Sequence, residues 1–277
     1  MFNTNRLNTS ISQPHQESLT MAPSTYRKLQ DEHVLIIGGS SGIGYAVADG
    51  ALASGAKVTI CSSSQAKIDA AVARLRSEYP EHSIHGVSQD LSVEATIESD
   101  IESLFEKVQA TQGTINHVVF TAASPLSLGA IENISADLIR AAGHMRLVVP
   151  FLVAKIAANH LPKTNNSSIV LTSGSVSERP TPGWSLMSYF GGGLSSVAKG
   201  LAVDLAPTRV NVVRPGFVDT PLWTEEQKAF MAKIVEEKTL TGKGGTAEDV
   251  AEAYLWLLKD RNVTGTAAAT DSGALLV

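Results

Sequence analysis

Short runs of apolar residues alternate with longer amphipathic stretches along this chain. The runs lie at Val34–Ile37, Lys57–Cys61 and His85–Val87, around Val118, Ile169 and Val210, and near Ala267. Each run is short enough to cross a sheet once, and the stretches between them have the apolar spacing of helices. Strands that alternate with helices form a parallel sheet through right-handed crossovers. The pattern therefore predicts an α/β fold with a single doubly wound parallel sheet flanked by helices.

A glycine-rich turn follows the first apolar run. Between Ile37 and the helical stretch 45–54 stand Gly38, Gly39, Ser40, Ser41, Gly42, Ile43 and Gly44. Glycine lets the chain turn sharply from strand to helix, and it leaves room for a pyrophosphate against the backbone. The amino end of the helix then directs free N–H groups at the phosphates. In this strand–turn–helix–strand context the turn predicts a dinucleotide site, formed by Gly38, Ser40, Ser41, Gly42, Ile43 and Gly44.

Composition and charge narrow the classes of function. The chain has 277 residues, of which 43% are hydrophobic and 18% charged, so it can bury a sizeable core. Its net charge of −5 disfavours a general nucleic-acid binder, because binding phosphates needs a basic surface. The single cysteine, Cys61, cannot form an internal disulfide. His82 and His85 lack a third ligand nearby, so no metal site is predicted.

The amino-terminal segment differs from the rest of the chain. Residues 1–24 are rich in Ser, Thr, Asn and Gln and hold no apolar core of the kind that an export signal needs. They predict a disordered tail before a single domain over residues 25–277. No run reaches the roughly 18 apolar residues that span a membrane. We expect a cytoplasmic protein with no membrane partner.

The end of the second apolar run bears on the choice of nicotinamide cofactor. In NAD sites an acidic residue about 20 residues past the glycine turn binds the ribose 2′-hydroxyl. Here Ser62, Ser63 and Ser64 occupy that place, and Lys67 follows one helical turn later. Hydroxyls and an ammonium group suit a 2′-phosphate better than a carboxylate does. We predict NADP(H) as the cofactor, and the alternative is an ordinary polar loop with a serine helix cap.

These residues resemble the short-chain dehydrogenase/reductase family. Its glycine signature is matched by Gly38-x-x-x-Gly42-Ile43-Gly44, and the resemblance extends over about residues 30–277. It implies a Rossmann-type fold. It also implies further cofactor contacts by Asp90, Leu91, Thr121, Ala122, Ala123, Pro215, Gly216, Val218 and Thr220. Thr121 and Ala123 stand where members of the family usually carry asparagine and glycine.

The family's catalytic helix is altered in this chain. Members pair a Tyr and a Lys four residues apart, which places both on one helix face. Alignment on the segment 200–207 puts Met187 at the Tyr position and Gly191 at the Lys position. Tyr189 is two residues further on, and the residue four beyond it is Gly193. The resemblance therefore implies a dehydrogenase-like site without its usual proton donor.

Three other residues are candidates for catalysis: Arg146, Ser173 and Ser175. Arg146 stands at the position of the family's asparagine, and Ser173 and Ser175 flank the position of its serine. Arg146 is also a candidate cofactor ligand through its fork of donors. The alternatives are a structural ion pair for Arg146 and simple strand termination for the two serines.

The resemblance also covers a substrate lid and an oligomer. The lid would lie at residues 221–243, where Trp223, Phe230 and Ile234 either face the substrate or pack as an ordinary amphipathic helix. Members usually pair as homodimers or homotetramers through the helices that here contain Arg146 and the segment 191–205. We expect the same of this chain.

The cofactor-binding motif matches the family, whereas the catalytic positions are altered. This combination predicts an atypical reductase. The pattern resembles a divergent branch of the family abundant in fungal natural-product pathways. It implies an NADP(H)-dependent oxidoreductase of specialised metabolism whose small-molecule substrate is a carbonyl or an imine or iminium compound. An iminium carbon accepts hydride without an acid, whereas a ketone needs a proton or an oxyanion stabiliser. The alternative is a nucleotide-binding cyclase or pericyclase, or a regulatory protein that transfers no hydride.

Overall fold

Seven parallel strands form one sheet in the order β3-β2-β1-β4-β5-β6-β7. The computed structural model describes residues 24–277, so the predicted tail lies outside the described residues. The strands are β1 His33–Ile37, β2 Lys57–Ser62, β3 Ile84–Ser88, β4 His117–Phe120, β5 Ser168–Thr172, β6 Arg209–Pro215 and β7 Ala267–Thr270. Each predicted apolar run is one of these strands. The predicted doubly wound α/β fold is confirmed.

Helices cover both faces of the sheet. They are α1 Gly42–Ala53, α2 Gln65–Glu78, α3 Ile97–Gln112, α4 Ala136–Gly143, α5 Val149–His160, α6 Ser185–Asp204, α7 Glu225–Lys238 and α8 Ala247–Lys259. A π-helical segment, His144–Val148, joins α4 to α5 without a break. Side chains of α1, α2 and α8 pack in one core, and side chains of α3, α5 and α6 pack in the other.

The central strand shows how the sequence specifies the two cores. Val34 and Ile36 enter the core under α1, whereas Leu35 and Ile37 enter the core under α5. All four side chains are at most 2% exposed, because successive side chains of a strand point to opposite faces and both faces are covered. A continuous apolar run is therefore what this strand requires.

Two helix starts show how the local sequence sets the ends of helices. Helix α8 begins with a capping box: Thr246 Oγ1 accepts from the Asp249 N–H at 3.1 Å, and the Asp249 carboxylate accepts from the Thr246 N–H at 3.2 Å. Helix α1 begins at Gly42, three residues before the predicted start at Tyr45. The last two glycines of the turn thus belong to the first turn of the helix.

One continuous helix among residues 24–277 has the length of a membrane span. It covers the 25 residues Ala136–His160, and its most apolar stretch would suit a membrane span by length and composition alone. Half of its most apolar window is buried inside the protein, where the helix packs against α3 and α6. Such packing is equally typical of the core helix of a globular protein.

Candidate active site

The carboxyl ends of the strands open into one large cavity. Its volume is about 1130 Å³, and the loops that follow all seven strands line it. The chain leaves β1 and β4, two neighbouring strands, toward opposite faces of the sheet, and a crevice forms where it does so. The following predicted cofactor residues line this cavity: Gly38, Ser40, Ser41, Gly42, Ile43, Gly44, Ser62, Ser63, Lys67, Asp90, Leu91, Thr121, Ala122, Ala123, Arg146, Pro215, Gly216, Val218 and Thr220.

The glycine turn leaves no room for side chains. Gly38 has a φ of +97° and Gly42 a φ of +53°, which L residues rarely adopt. A Cβ on Gly38 would lie 2.5 Å from the Ala122 backbone nitrogen, and one on Gly44 would lie 2.3 Å from the Gly38 carbonyl oxygen. No side chain caps the first turn of α1. Its free N–H groups thus meet the cavity, and this arrangement can hold the phosphates of a dinucleotide.

The four residues at the end of β2 that were predicted to select the cofactor do not all face the cavity. Ser62, Ser63 and Lys67 line the cavity, and the segment that they span holds no acidic residue. Ser64 does not line it. Its Oγ accepts a hydrogen bond from the Lys67 N–H at 3.4 Å and caps α2, so the helix-cap alternative describes Ser64. The hydroxyls of Ser62 and Ser63 and the ammonium group of Lys67 are the groups that could hold a 2′-phosphate.

The loop after β3 is fixed at two points. Asp90 Oδ1 accepts from the Ser92 N–H at 2.9 Å, and this bond holds the pKa of the Asp90 carboxyl below its ordinary value. The Leu91 carbonyl lies 3.2 Å from His144 Nε2. Because a carbonyl only accepts, that ring nitrogen carries the hydrogen. The predicted cofactor contact Leu91 is thus tied to the π-helical segment that carries Arg146.

Helix α6 presents an apolar face to the cavity. Met187, Phe190, Gly191 and Leu194 line it. Tyr189 does not line it: its side chain is 60% exposed and its ring packs on Phe190 at 5.1 Å between centroids. Positions two apart on a helix differ by about 200°, so Tyr189 points away from this cavity. None of the five tyrosines in the chain is followed four residues later by a lysine.

Ser173 is bonded to the backbone of α6 at Gly191. Its Oγ donates to the Gly191 carbonyl at 2.9 Å. A Cβ at position 191 would lie 3.0 Å from that Oγ and 3.2 Å from the Ser177 Cβ. The Ser173 hydroxyl can come this close to α6 because glycine at position 191 has no side chain. Since its hydrogen is used in this bond, Ser173 has no donor left for a substrate oxygen.

Ser175 keeps its hydroxyl available. It follows Gly174 at the end of β5 and begins a short 3₁₀ turn, Ser175–Ser177. The Ser175 carbonyl accepts the N–H of Glu178 and of Arg179 within this turn. Within residues 24–277 its Oγ has no hydrogen-bond partner, and the residue lines the cavity. Of the two candidate serines, Ser175 is the one that can donate to a ligand.

Arg146 is held by carbonyl groups. Its Nη2 donates to the Ser124 carbonyl at 2.7 Å and to the Pro125 carbonyl at 3.3 Å. Its Nε is buried without a partner, as is Ser124 Oγ. No carboxylate of the described residues lies within 4.0 Å of the guanidinium, so the predicted ion-pair alternative is not formed there. Burial lowers the pKa of Arg146.

Acidic groups are few around the cavity and are separated from one another. Asp90 belongs to the β3 end, Asp271 Oδ1 accepts from the Gly273 N–H at 3.0 Å, and Glu237 is exposed on α7. Across residues 24–277 no three His, Cys, Asp or Glu side chains form a group that could hold a metal ion.

Aromatic side chains close the end of the cavity beside α7. Trp223 lies 6.0 Å from Trp184 and 5.2 Å from Phe217, measured between ring centroids. Of the two predicted lid residues on α7, Ile234 lines the cavity, whereas Phe230 is 66% exposed and does not. These rings offer a flat, apolar surface of the kind that stacks on conjugated compounds.

Comparison with known proteins decides the family. The SDR-like Rossmann domain matches residues 26–277. This chain belongs to the short-chain dehydrogenase/reductase family. It is 40% identical to the short-chain dehydrogenase/reductase fsr5 of Gibberella fujikuroi over 256 residues, which are 90% of this chain and 96% of that one.

Solved short-chain dehydrogenase/reductases have the same fold. The MalC reductase/Diels-Alderase of Malbranchea aurantiaca superposes with a TM-score of 0.86 at 36% identity, covering 91% of this chain and 100% of that one. A short-chain dehydrogenase of Burkholderia cenocepacia J2315 in complex with NADP gives a TM-score of 0.77 at 26% identity, covering 89% and 99%. The family resemblance seen in the glycine turn is thereby confirmed.

Sequence reasoning missed some groups of this short-chain dehydrogenase/reductase site. It assigned no role to Ser124, Trp184 or Phe217, and it gave Ser173 and Ser175 the same role. Phe217 directly follows β6, and Trp184 ends the connection from β5 to α6. Family sites are built from such connections, so their position was a usable signal. The bond between Ser173 and Gly191 joins residues far apart in sequence and left no local signal.

Proposed function

We propose that this protein is an NADP(H)-dependent oxidoreductase of specialised metabolism that acts on a small, largely apolar carbonyl or imine compound. The observation that carries the proposal is the composition of the large cavity at the strand ends. One end is a glycine cradle with the open amino end of α1, and the other end is apolar and aromatic. Such a cavity holds a dinucleotide beside an organic substrate.

The choice of NADP(H) rests on the end of β2. Ser62, Ser63 and Lys67 face the cavity there without a carboxylate, which would repel a 2′-phosphate. The NADP complex of the Burkholderia relative is consistent with this choice. Titration of the purified protein with NADPH and NADH tests it. We expect NADPH to bind more tightly, and equal affinity for the two would refute the argument from the serines.

The reaction itself needs little proton chemistry from this chain. When bound, NADPH supplies the hydride, so the protein orients the substrate and excludes water. Ser175 holds a substrate oxygen or nitrogen by its free hydroxyl, and Arg146 provides positive charge nearby. Met187 fills with an apolar side chain the place where family resemblance expects the proton donor. Solvent or the substrate then supplies any proton.

A second function is favoured by the enclosed apolar end of the cavity. Trp184, Phe217 and Trp223 surround space in which an extended substrate can fold, and the MalC relative is described as both a reductase and a Diels-Alderase. Following NADPH consumption with candidate carbonyl and imine compounds separates the two functions. Stoichiometric oxidation of NADPH supports the reductase. Ring closure with NADP⁺ and no redox change supports a cyclase.

An oligomer is part of the proposal. Val148 and Phe151 are 47% and 44% exposed on the helix that carries Arg146, and Val203 is 77% exposed on α6. A Cβ on Gly192 or Gly200 of α6 would meet open space. These apolar and small residues suit close helix pairing between copies, as in other family members. Light scattering after size-exclusion chromatography measures the mass, and a monomer would refute this part.

A further inference from the structure

Arg146 brings a positive charge to the substrate end of the cavity without a negative partner. Its Nη2 and its position are fixed by two carbonyl oxygens, of Ser124 and Pro125, which accept hydrogen bonds but carry no formal charge. Its Nη1 is open to the cavity and has no hydrogen-bond partner within residues 24–277. A partly buried cation without a counter-charge is unfavourable. A negatively charged ligand would relieve that cost.

The surrounding groups do not provide a counter-charge. Asp90 lies in the loop after β3, Asp271 is bonded to the backbone of Gly273, and Glu237 is exposed on α7. None lies within the 4.0 Å of an ion pair with Arg146. A cationic substrate such as an iminium ion would therefore meet a like charge with no carboxylate to offset it.

We propose that this site selects substrates with an acidic oxygen: a planar, conjugated compound that carries a carboxylate, enolate or phenolate, bound by the open side of the Arg146 guanidinium. The inference rests on the proposed function and names its substrate class. The aromatic residues Trp184, Phe217 and Trp223 supply the flat apolar surface, and the guanidinium supplies a directional, charge-assisted contact. Between the carbonyl and iminium alternatives, this favours an oxygen-rich carbonyl compound.

Three probes of one shape test the proposal: 2-naphthoate, 2-naphthamide and 2-naphthylmethylammonium, which carry negative, zero and positive charge. Their affinities are measured by calorimetry, with the protein both free and saturated with NADP⁺. We expect naphthoate to bind about 10- to 100-fold more tightly than naphthamide, the range expected for a hydrogen bond to a charged group. The ammonium compound should bind most weakly. Equal affinities for the three, undetectable binding of all included, would overturn the proposal.

Substitutions assign the preference to one residue. Arg146→Gln should bring the ratio of naphthoate to naphthamide affinity close to one, and Arg146→Lys, which keeps the charge, should retain part of it. Arg179→Gln is the matched control, because Arg179 lines the same cavity but its Nη1 donates to the Ala274 carbonyl at 2.9 Å. It should leave the ratio unchanged. A ratio that survives Arg146→Gln, or that falls in Arg179→Gln, contradicts the assignment.

The NADPH affinity of each variant separates this inference from the proposed function. Circular dichroism checks that Arg146→Gln is folded, and its NADPH affinity decides between the substrate role proposed here and the cofactor role predicted from the sequence. If it loses NADPH affinity while its naphthoate preference stays, Arg146 belongs to the cofactor site and the inference is wrong. If the wild type binds no NADPH, the proposed function fails, whereas the naphthoate ratio of the free protein still decides the inference.

Discussion

Replacement of Gly191 by alanine tests whether the missing side chain on α6 is what holds Ser173 in place. The new Cβ would lie 3.0 Å from Ser173 Oγ and 3.2 Å from the Ser177 Cβ. The hydroxyl is the movable neighbour, so we expect it to rotate away and lose its 2.9 Å bond to the Gly191 carbonyl. That carbonyl keeps a 3.0 Å bond from Ser195 Oγ, and no acceptor is left unsatisfied.

The size of the effect follows from two opposing contributions. Alanine is favoured over glycine inside a helix by about 1 kcal/mol. Loss of the Ser173 hydrogen bond costs about 1 kcal/mol. Gly191→Ala should therefore leave the free energy of unfolding nearly unchanged. Gly192→Ala is the control, because a Cβ there has nothing within 4 Å. It should stabilise the protein by about 1 kcal/mol.

A double-mutant cycle isolates the bond. Once Ser173→Ala has removed the hydroxyl, Gly191→Ala should stabilise almost as much as Gly192→Ala, which gives a coupling of about 1 kcal/mol between positions 173 and 191. Urea unfolding followed by circular dichroism at one fixed protein concentration measures all four proteins. If Gly191→Ala stabilises the wild type as much as Gly192→Ala does and shows no coupling to Ser173→Ala, the reasoning fails.

Three further predictions have defined outcomes, the first with a matched control. Ser63→Asp should lower the affinity for NADPH relative to NADH, because it places a carboxylate at the end of β2. The control is Ser64→Ala, which removes a helix cap: it should cost about 1 kcal/mol of stability and leave the cofactor preference unchanged. Fluorescence titration with both cofactors checks this. Tyr189→Phe should leave kcat/KM for the reduced substrate within about twofold. Tyr189 is exposed, and an exposed substitution rarely changes a free energy by more than about 0.5 kcal/mol. A large loss of kcat/KM would identify Tyr189 as an acid. Burial lowers the pKa of His117 from 6.5 to about 3, so below pH 6.5 the unfolded chain binds a proton that the folded protein refuses. Stability should therefore fall as the pH drops from 6.5 toward 3, and His117→Asn should make that fall shallower in urea unfolding at a series of pH values.

The sheet could be predicted from the sequence because its signals are local. Val34–Ile37 is apolar without interruption since both faces of β1 are covered, and the glycines after it are required by positive φ angles and backbone contacts. Such signals lie within a few residues of the structure that they specify. The same locality explains why nearly all residues predicted from the glycine turn and from the strand ends line one cavity.

The site chemistry was harder to predict because it depends on contacts between distant segments. Ser173 and Ser175 look equivalent in sequence, yet only Ser173 meets a carbonyl, 18 residues further along the chain. For Arg146 the sequence left a structural ion pair as the alternative to a site role, and its neighbours in space are two carbonyl groups of the loop after β4. Neither outcome has a periodic pattern. Both follow from how α6 and the π-helical segment approach the sheet.

The geometry of the active site depends on the number of residues in the π-helical segment His144–Val148. Such a segment holds one residue more than the α-helix it interrupts, and each residue of an α-helix turns the chain by about 100°. Loss of a single codon there would restore a regular helix; α4 and α5 would stay near their present orientation, because the wider turn absorbs the extra residue, but side chains within the segment would change direction by about that angle. It would carry His144 away from the Leu91 carbonyl and reorient Arg146, although no residue lining the cavity had been exchanged. Insertions and deletions at this point are therefore a route by which related enzymes can acquire new substrates on an unchanged sheet.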